Sequence, residues 1–171
     1  MARTPAPRPN EVGIAGEFYV LHMLARLGYS PALTLGNTKG VDILVTCPST
    51  SRVSRVEVKT SADALRAPKD RRWWTWLIGW PTSAPNQVFC FVHLGASVAE
   101  TRCFLFQAAD VIALEAECRA AYAAEAKDEA QRQRRLDPAM GSIWFYEDEK
   151  GNEHGSAWHL IDEAMTAAGN P

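Results

Sequence analysis

The residues best suited to chemistry stand on two short neighbouring segments. Gly40-Val41-Asp42 opens one β-branched run, and Val56-Glu57-Val58-Lys59 closes the next. With the two-residue period of a strand, Glu57 and Lys59 point to one side while Val56 and Val58 point to the other, into a core. On adjacent hairpin strands Asp42 can face Glu57. Two carboxylates converging from neighbouring strands are the hard oxygen ligands that Mg²⁺ prefers, with coordination positions left for water and a phosphate oxygen. A metal held this way lowers the pKa of its water and offsets charge on a phosphate. An ammonium such as Lys59 can then position the nucleophile or stabilise the transition state. The chemistry implied is hydrolysis assisted by Mg²⁺ or Mn²⁺. The plainer alternative is an exposed ion pair, which an acid and a lysine two residues apart on a strand commonly make.

These residues need a helix and three strands to place them. Asn10 can cap a helix that runs to the Gly28 stop signal, with Ile14, Phe18, Leu21 and Ala25 recurring at helical steps as its apolar stripe. Glu17 falls inside that stripe, where a carboxylate needs a partner; a metal or Lys59 would supply it. Residues 29–35 and 41–47 read as strands closed by Gly36-Asn37 and Pro48-Ser49, and 52–60 as a third, with the polar Ser-Thr-Ser turn before it fitting a hairpin. From 62 to 85 the charged stretch with Arg66, Lys69, Asp70, Arg71 and Arg72 reads as a loop running into a strand at WWTWLIGW. Strands at 88–94 and 103–107 follow, then one long exposed helix over 108–136 that Pro138 limits. The tail holds an aromatic strand at 142–147, a turn at Lys150-Gly151-Asn152 and a last segment at 157–168. Glu147-Asp148-Glu149 reads as the solvating charge of a hairpin.

The bulk composition sets the frame. At 171 residues, 47% hydrophobic, 22% charged and with six tryptophans, the chain has the size and make-up of one globular domain over 10–171. Residues 1–9 carry three prolines and read as a flexible arm. A net charge of -2 means that nucleic-acid contact must come from a local patch. Cys47, Cys90, Cys103 and Cys118 have no CxxC spacing, and His22, His93, His154 and His159 have no HxH or HExxH spacing, so reduced buried thiols and structural histidines are expected. No signal-peptide core and no run of about 20 apolar residues occurs, which points to a cytoplasmic protein without a membrane span.

The runs GEF with Glu17, NTKGVDILV and RVEVKTS resemble the PD-(D/E)xK nuclease superfamily, which includes archaeal Holliday junction resolvases and many restriction endonucleases. VKTS, the Trp-containing segment, FCFVHL and FLFQAADV are similar to small uncharacterised bacterial members of that superfamily. The resemblance implies an α/β fold with a restriction endonuclease-like core over roughly 11–107. Such a core has a mixed central β-sheet flanked by helices, its first helix followed by three strands, here with a helical extension over 108–171. It assigns catalysis to Glu17, Asp42, Glu57 and Lys59, and metal ligation to Asp42, Glu57 and Glu17. The superfamily core also carries a helix between its third and fourth strands, whereas no clean helix is legible between Lys59 and Val88.

The function so implied is a metal-dependent nuclease hydrolysing DNA phosphodiester bonds. The alternative is a catalytically inactive domain of the same fold that binds nucleic acid or a protein partner. Lys69, Arg71 and Arg72 can grip phosphates, and Asn37, Thr38 and Lys39 lie close enough to Asp42 in the chain to touch the DNA backbone. Trp73 and Trp74 could stack on bases but read first as packing residues. A homodimer, for which the Ala-rich helix around 120–135 is a candidate surface, would suit cleavage of two strands.

Overall fold

The computed structural model describes residues 8–35, 40–62, 65–66, 73–79, 81, 84, 86–137 and 141–167, with the backbone alone at 65–66. Helix α1 (Pro9–Arg26) leads into strands β1 (Ser30–Leu33), β2 (Ile43–Thr46) and β3 (Val53–Ser61). These join β6 (Gln87–His93) and β7 (Arg102–Gln107) in a five-stranded sheet of order β1-β2-β3-β6-β7. β3 and β6 run parallel and every other neighbouring pair is antiparallel, so the sheet is mixed. The crossover between the two parallel strands passes through β4 (Leu65–Arg66) and β5 (Trp73–Leu77). With β8 (Ser142–Tyr146) these form a second, antiparallel three-stranded sheet. The described residues between β3 and β6 hold strands and no helix.

Alternation along β6 sorts the core by side-chain size. Val88, Cys90 and Val92 face a layer built by Val20 and Leu24 of α1 and by Leu160, Ile161, Ala164 and Met165 of the C-terminal helix α5 (His159–Ala167). Phe89 and Phe91 face the opposite way, against Trp74 and Trp76 of β5, Ile143 and Phe145 of β8, and Val111, Leu114 and Cys118 of helix α2 (Ala108–Ala124). The central sheet is therefore flanked by helices on one face and by the second sheet with α2 on the other. Trp74 and Trp76 are 3% exposed, so the tryptophans in the middle of WWTWL are packing residues. The Trp76 indole donates to the Val92 carbonyl at 3.0 Å, satisfying its polar end in the dry layer. Cys90, Cys103 and Cys118 are buried free thiols and Cys47 is half-buried. No helix among the described residues is long and apolar enough to cross a membrane.

Several expected elements are corrected. Helix α1 starts one residue before Asn10, because Pro9 occupies its first turn and Arg8 is the cap, its backbone N–H donating to the Glu11 carboxylate at 2.7 Å. The apolar stripe of α1 is reversed: Gly16, Val20 and Leu24 face the sheet, while Ile14 and Phe18 are 50% and 55% exposed. The reason is close approach. A Cβ on Gly16 would lie 2.6 Å from Thr60 Cγ2, so only a glycine face lets the helix settle on β3, and that face was invisible to a search for large apolar residues. The helix expected over 108–136 is two, α2 and α3 (Glu129–Arg135), because Asp128 caps a new helix by accepting from Gln131 N at 2.7 Å. The expected hairpin turn at 150–152 is instead a coiled segment, Glu147–Gly151, kinked at Glu149 and running into the short helix α4 (Asn152–His154).

Gly16→Ala is expected to lower stability by about 1–3 kcal/mol, the usual cost of overpacking a tight contact. The check is urea unfolding, with part of the loss recovered when Thr60→Ala is added.

Candidate active site

β2 and β3 pair antiparallel with Ile43 opposite Val56. The paired register ends there, and Asp42 stands one residue before it, just outside the ladder. Gly40 makes this junction possible with φ at +76°, a left-handed conformation that side-chain-bearing residues rarely adopt. Past the end of β2 the chain stays tied down: Asp42 N–H donates to the Val56 carbonyl at 2.9 Å, Thr34 N–H donates to the Asp42 carbonyl at 2.9 Å, and Thr34 Oγ1 donates to the Val41 carbonyl at 2.6 Å. The Asp42 side chain then bends onto β3, where its Oδ2 accepts from Val58 N–H at 2.7 Å. A carboxylate thus replaces the ladder bond that β2 no longer supplies.

Glu57 is buried, at 8% exposure, on the aromatic side of the sheet. A carboxylate there requires partners, and it has two. Lys59 Nζ lies 2.6 Å from Oε1, and Gln87 Nε2 donates to Oε2 at 3.1 Å. Gln87 is itself only 3% exposed, and its Nε2 also donates to the Gly40 carbonyl at 2.9 Å. One buried amide therefore clamps the glycine turn before Asp42 to the Glu57 carboxylate. Lys59 also borders a cleft of about 440 Å³ between β3 and β5, lined with Thr60, Ser61, Thr75, Trp76 and Leu77.

Glu17 sits on the flank of α1, half-buried, between the face on the sheet and the face in solvent. Burial holds its carboxyl above the usual range, the negative charge of Asp42 raises it further, and Lys59 draws it partly back. Glu17 thus shares an electrostatic neighbourhood with Asp42 and Lys59. Among the described residues, however, no three His, Cys, Asp or Glu side chains are gathered closely enough to form a ready metal cage. Asn37, Thr38, Lys39, Lys69, Arg71 and Arg72 lie outside the described residues. Gln87 is the residue that sequence reading missed. It heads the run QVFCFVH, and a polar side chain opening a strand otherwise buried throughout was the available signal.

A mixed sheet flanked by helices, with its first helix followed by three strands that carry this acid-rich junction, defines an α/β protein with an endonuclease-like fold. Among solved structures the chain is similar to the bacterial homing endonuclease I-Ssp6803I, with a TM-score of 0.52 at 13% sequence identity over 91% of this chain and 93% of that one. No family model and no curated protein matches the sequence.

Two measurements follow from this geometry. Gln87→Leu strips two buried acceptors of their donor and is expected to cost about 1–3 kcal/mol of stability, read from urea midpoints. Because the folded chain holds the Glu17 proton more tightly than its reference value of 4.5, Glu17 contributes stability below that value and loses it as pH rises through its folded pKa. Urea midpoints for Glu17→Gln should therefore match wild type near about pH 4 and exceed it at about pH 7.

Proposed function

We propose that this chain is a metal-dependent nuclease of the PD-(D/E)xK type that hydrolyses DNA phosphodiester bonds. The observation that carries the reading is Asp42 bound through its carboxylate to the Val58 amide of β3, between Glu57 and Lys59, which pair with each other on one face of that strand. The shared fold with a homing endonuclease favours a nucleic-acid substrate, and the superfamily resemblance supports DNA.

The donor set suits a hard divalent cation: both acids offer oxygen ligands, and Asp42 uses Oδ2 on the Val58 amide while Oδ1 has no hydrogen bond among the described residues. Asp42 and Glu57 are the residues that would hold Mg²⁺ or Mn²⁺, with Glu17 as an accessory ligand or orienter. When bound, such an ion supplies an acidified water and charge neutralisation at the phosphate. The chain's own contribution is placement. Val58 N–H and Gln87 orient the two carboxylates, and Lys59, released from Glu57, holds the attacking water or the developing negative charge. Asn37, Thr38, Lys39, Lys69, Arg71 and Arg72 are the proposed backbone contacts. Their positions in the chain, just before Asp42 and between β3 and β5, bracket the site.

A second reading has its own support. Both oxygens of Glu57 are already engaged, by Lys59 and Gln87, as in a nuclease-fold domain that has given up catalysis and binds nucleic acid or a protein partner.

Cleavage of plasmid, branched and single-stranded DNA with Mg²⁺ or Mn²⁺ separates the two. Under the nuclease reading, wild type cuts, and Lys59→Ala and Asp42→Ala each lose about 10²-fold or more, the scale of removing one preorganised electrostatic group. Calorimetry with Mn²⁺ should show binding retained in Lys59→Ala and lost in Asp42→Ala. No cleavage of any substrate together with no metal binding by wild type would select the binding domain.

A further inference from the structure

The face of the central sheet that bears Glu57 and Lys59 is covered over only part of its width. Across β6 and β7 the second sheet and α2 seal it. Across β1, β2 and the first residues of β3 it is bare. Cross-strand pairing places Ala32, Leu44 and Arg55 in one row and Ser30, Thr46 and Val53 in the next, all on that face. Leu44 is 40% and Val53 39% exposed, Ser30, Ala32 and Arg55 are exposed, and Thr46 is half-buried. The opposite face of the same strands is closed, with Ile43, Val45, Ser54 and Val56 fully buried. β3 therefore passes from an open floor at Arg55 to the foot of the covering layer at Glu57, two residues on.

We propose that this bare part of the sheet is a platform for a nucleic-acid backbone, with Arg55 as a phosphate-binding residue that leads the strand to Lys59. The charge of the platform selects the occupant. From Tyr29 to Val56 the chain has three cations, Lys39, Arg52 and Arg55, against a single acid, Asp42, in a protein whose net charge is -2. No acid stands among the six side chains of the floor. Neither Arg55 nor the exposed Arg52 at the hairpin end forms an ion pair among the described residues. An arginine guanidinium presents a planar fork of N–H donors that matches a phosphate. The small and apolar side chains around Arg55 keep the floor low, and the Ser30 and Thr46 hydroxyls can donate to phosphate oxygens. Arg55, Glu57 and Lys59 follow one another on one face, and the rise of β3 from Val53 to Lys59 is about 20 Å, the axial length of about six nucleotides of one strand. The inference rests on the nucleic-acid substrate proposed above and adds where its backbone lies; it does not depend on cleavage.

Fluorescence anisotropy of a labelled DNA duplex in EDTA, which withholds the divalent metal and so prevents cleavage, tests it. Wild type is expected to bind with an affinity that falls between about 50 and 200 mM salt. Arg55→Gln should bind about tenfold more weakly, the scale of losing one hydrogen bond to a charged group. It should also lower the slope of log affinity against log salt by about 1. Leu44→Glu, which leaves Arg55 in place and sets an acid on the floor, should weaken binding likewise. Arg134→Gln removes the same charge from an exposed position of α3 and should change neither quantity. Wild type that fails to bind, Arg55→Gln with wild-type affinity and slope, or Arg134→Gln losing as much as Arg55→Gln would each overturn the proposal. So would displacement of the duplex by polyglutamate as effectively as by unlabelled DNA, which assigns the face to an acidic polypeptide. Should Arg55→Gln fail to fold by circular dichroism, Leu44→Glu decides against Arg134→Gln. Binding by wild type without cleavage in Mg²⁺ would keep the platform and remove the nuclease reading, whereas cleavage with unchanged binding by Arg55→Gln would do the reverse.

Discussion

The two-residue alternation of β3 is the constraint from which the rest of the molecule follows. β3 lies at the centre of the sheet and is covered on both faces from Val56 to Val58, so the side chains there must be either apolar or matched to a partner. Ser54, Val56 and Val58 are buried, and the two valines fall in the layer beneath α1 and α5. Glu57 and Lys59 are driven to the other face, opposite Phe89 and Phe91 of β6. A shift of one residue would put the acid among Val20, Leu24 and Ile161 and the valines against the tryptophans, so packing fixes the register.

The electrostatics of the site grow out of the same burial. Glu57 is too deeply placed to rely on water, and Lys59 and Gln87 supply the partners that its position demands. Gln87 does more than satisfy a charge, since its second bond goes to the Gly40 carbonyl and so couples the turn before β2 to the start of β6. Asp42 is held by a backbone amide of β3 instead of by a cation. Glu17 has only the fields of its neighbours to balance its burial, which is why its proton affinity rises. Three acids in similar strand and helix contexts therefore have three different environments, as is common where a site must divide roles among carboxylates.

The strand pattern of the first half was legible because β-branched runs broken by Gly, Pro and Ser carry the two-residue period directly. Strands read at 29–35, 41–47 and 52–60 appear as β1, β2 and β3. The facing of Glu57 with Lys59 was legible for the same reason. α1 was legible as a helix but not in its orientation, since it is apolar on two sides and the contact with Thr60 favours the side bearing Gly16. The break between α2 and α3 turned on a single capping aspartate inside an otherwise helix-forming stretch. Propensity summed over such a stretch cannot register one hydrogen bond.

By itself the sequence determined the local facts: where strands start and stop, which residues share a face, and that Asp42, Glu57 and Lys59 could meet if β2 and β3 were neighbours. These depend on near-neighbour geometry, and that is encoded in near-neighbour residue types. Only the tertiary structure decided what covers each face, because that depends on contacts between segments far apart in the chain. It set β6 parallel to β3 and routed the crossover through a second sheet that seals the aromatic layer. It brought Gln87 to Glu57 across a sequence separation of 30 residues. It also turned Ile14 and Phe18 outward, since a helix with two apolar faces is oriented by how closely each can approach the sheet, and glycine allows the closer fit.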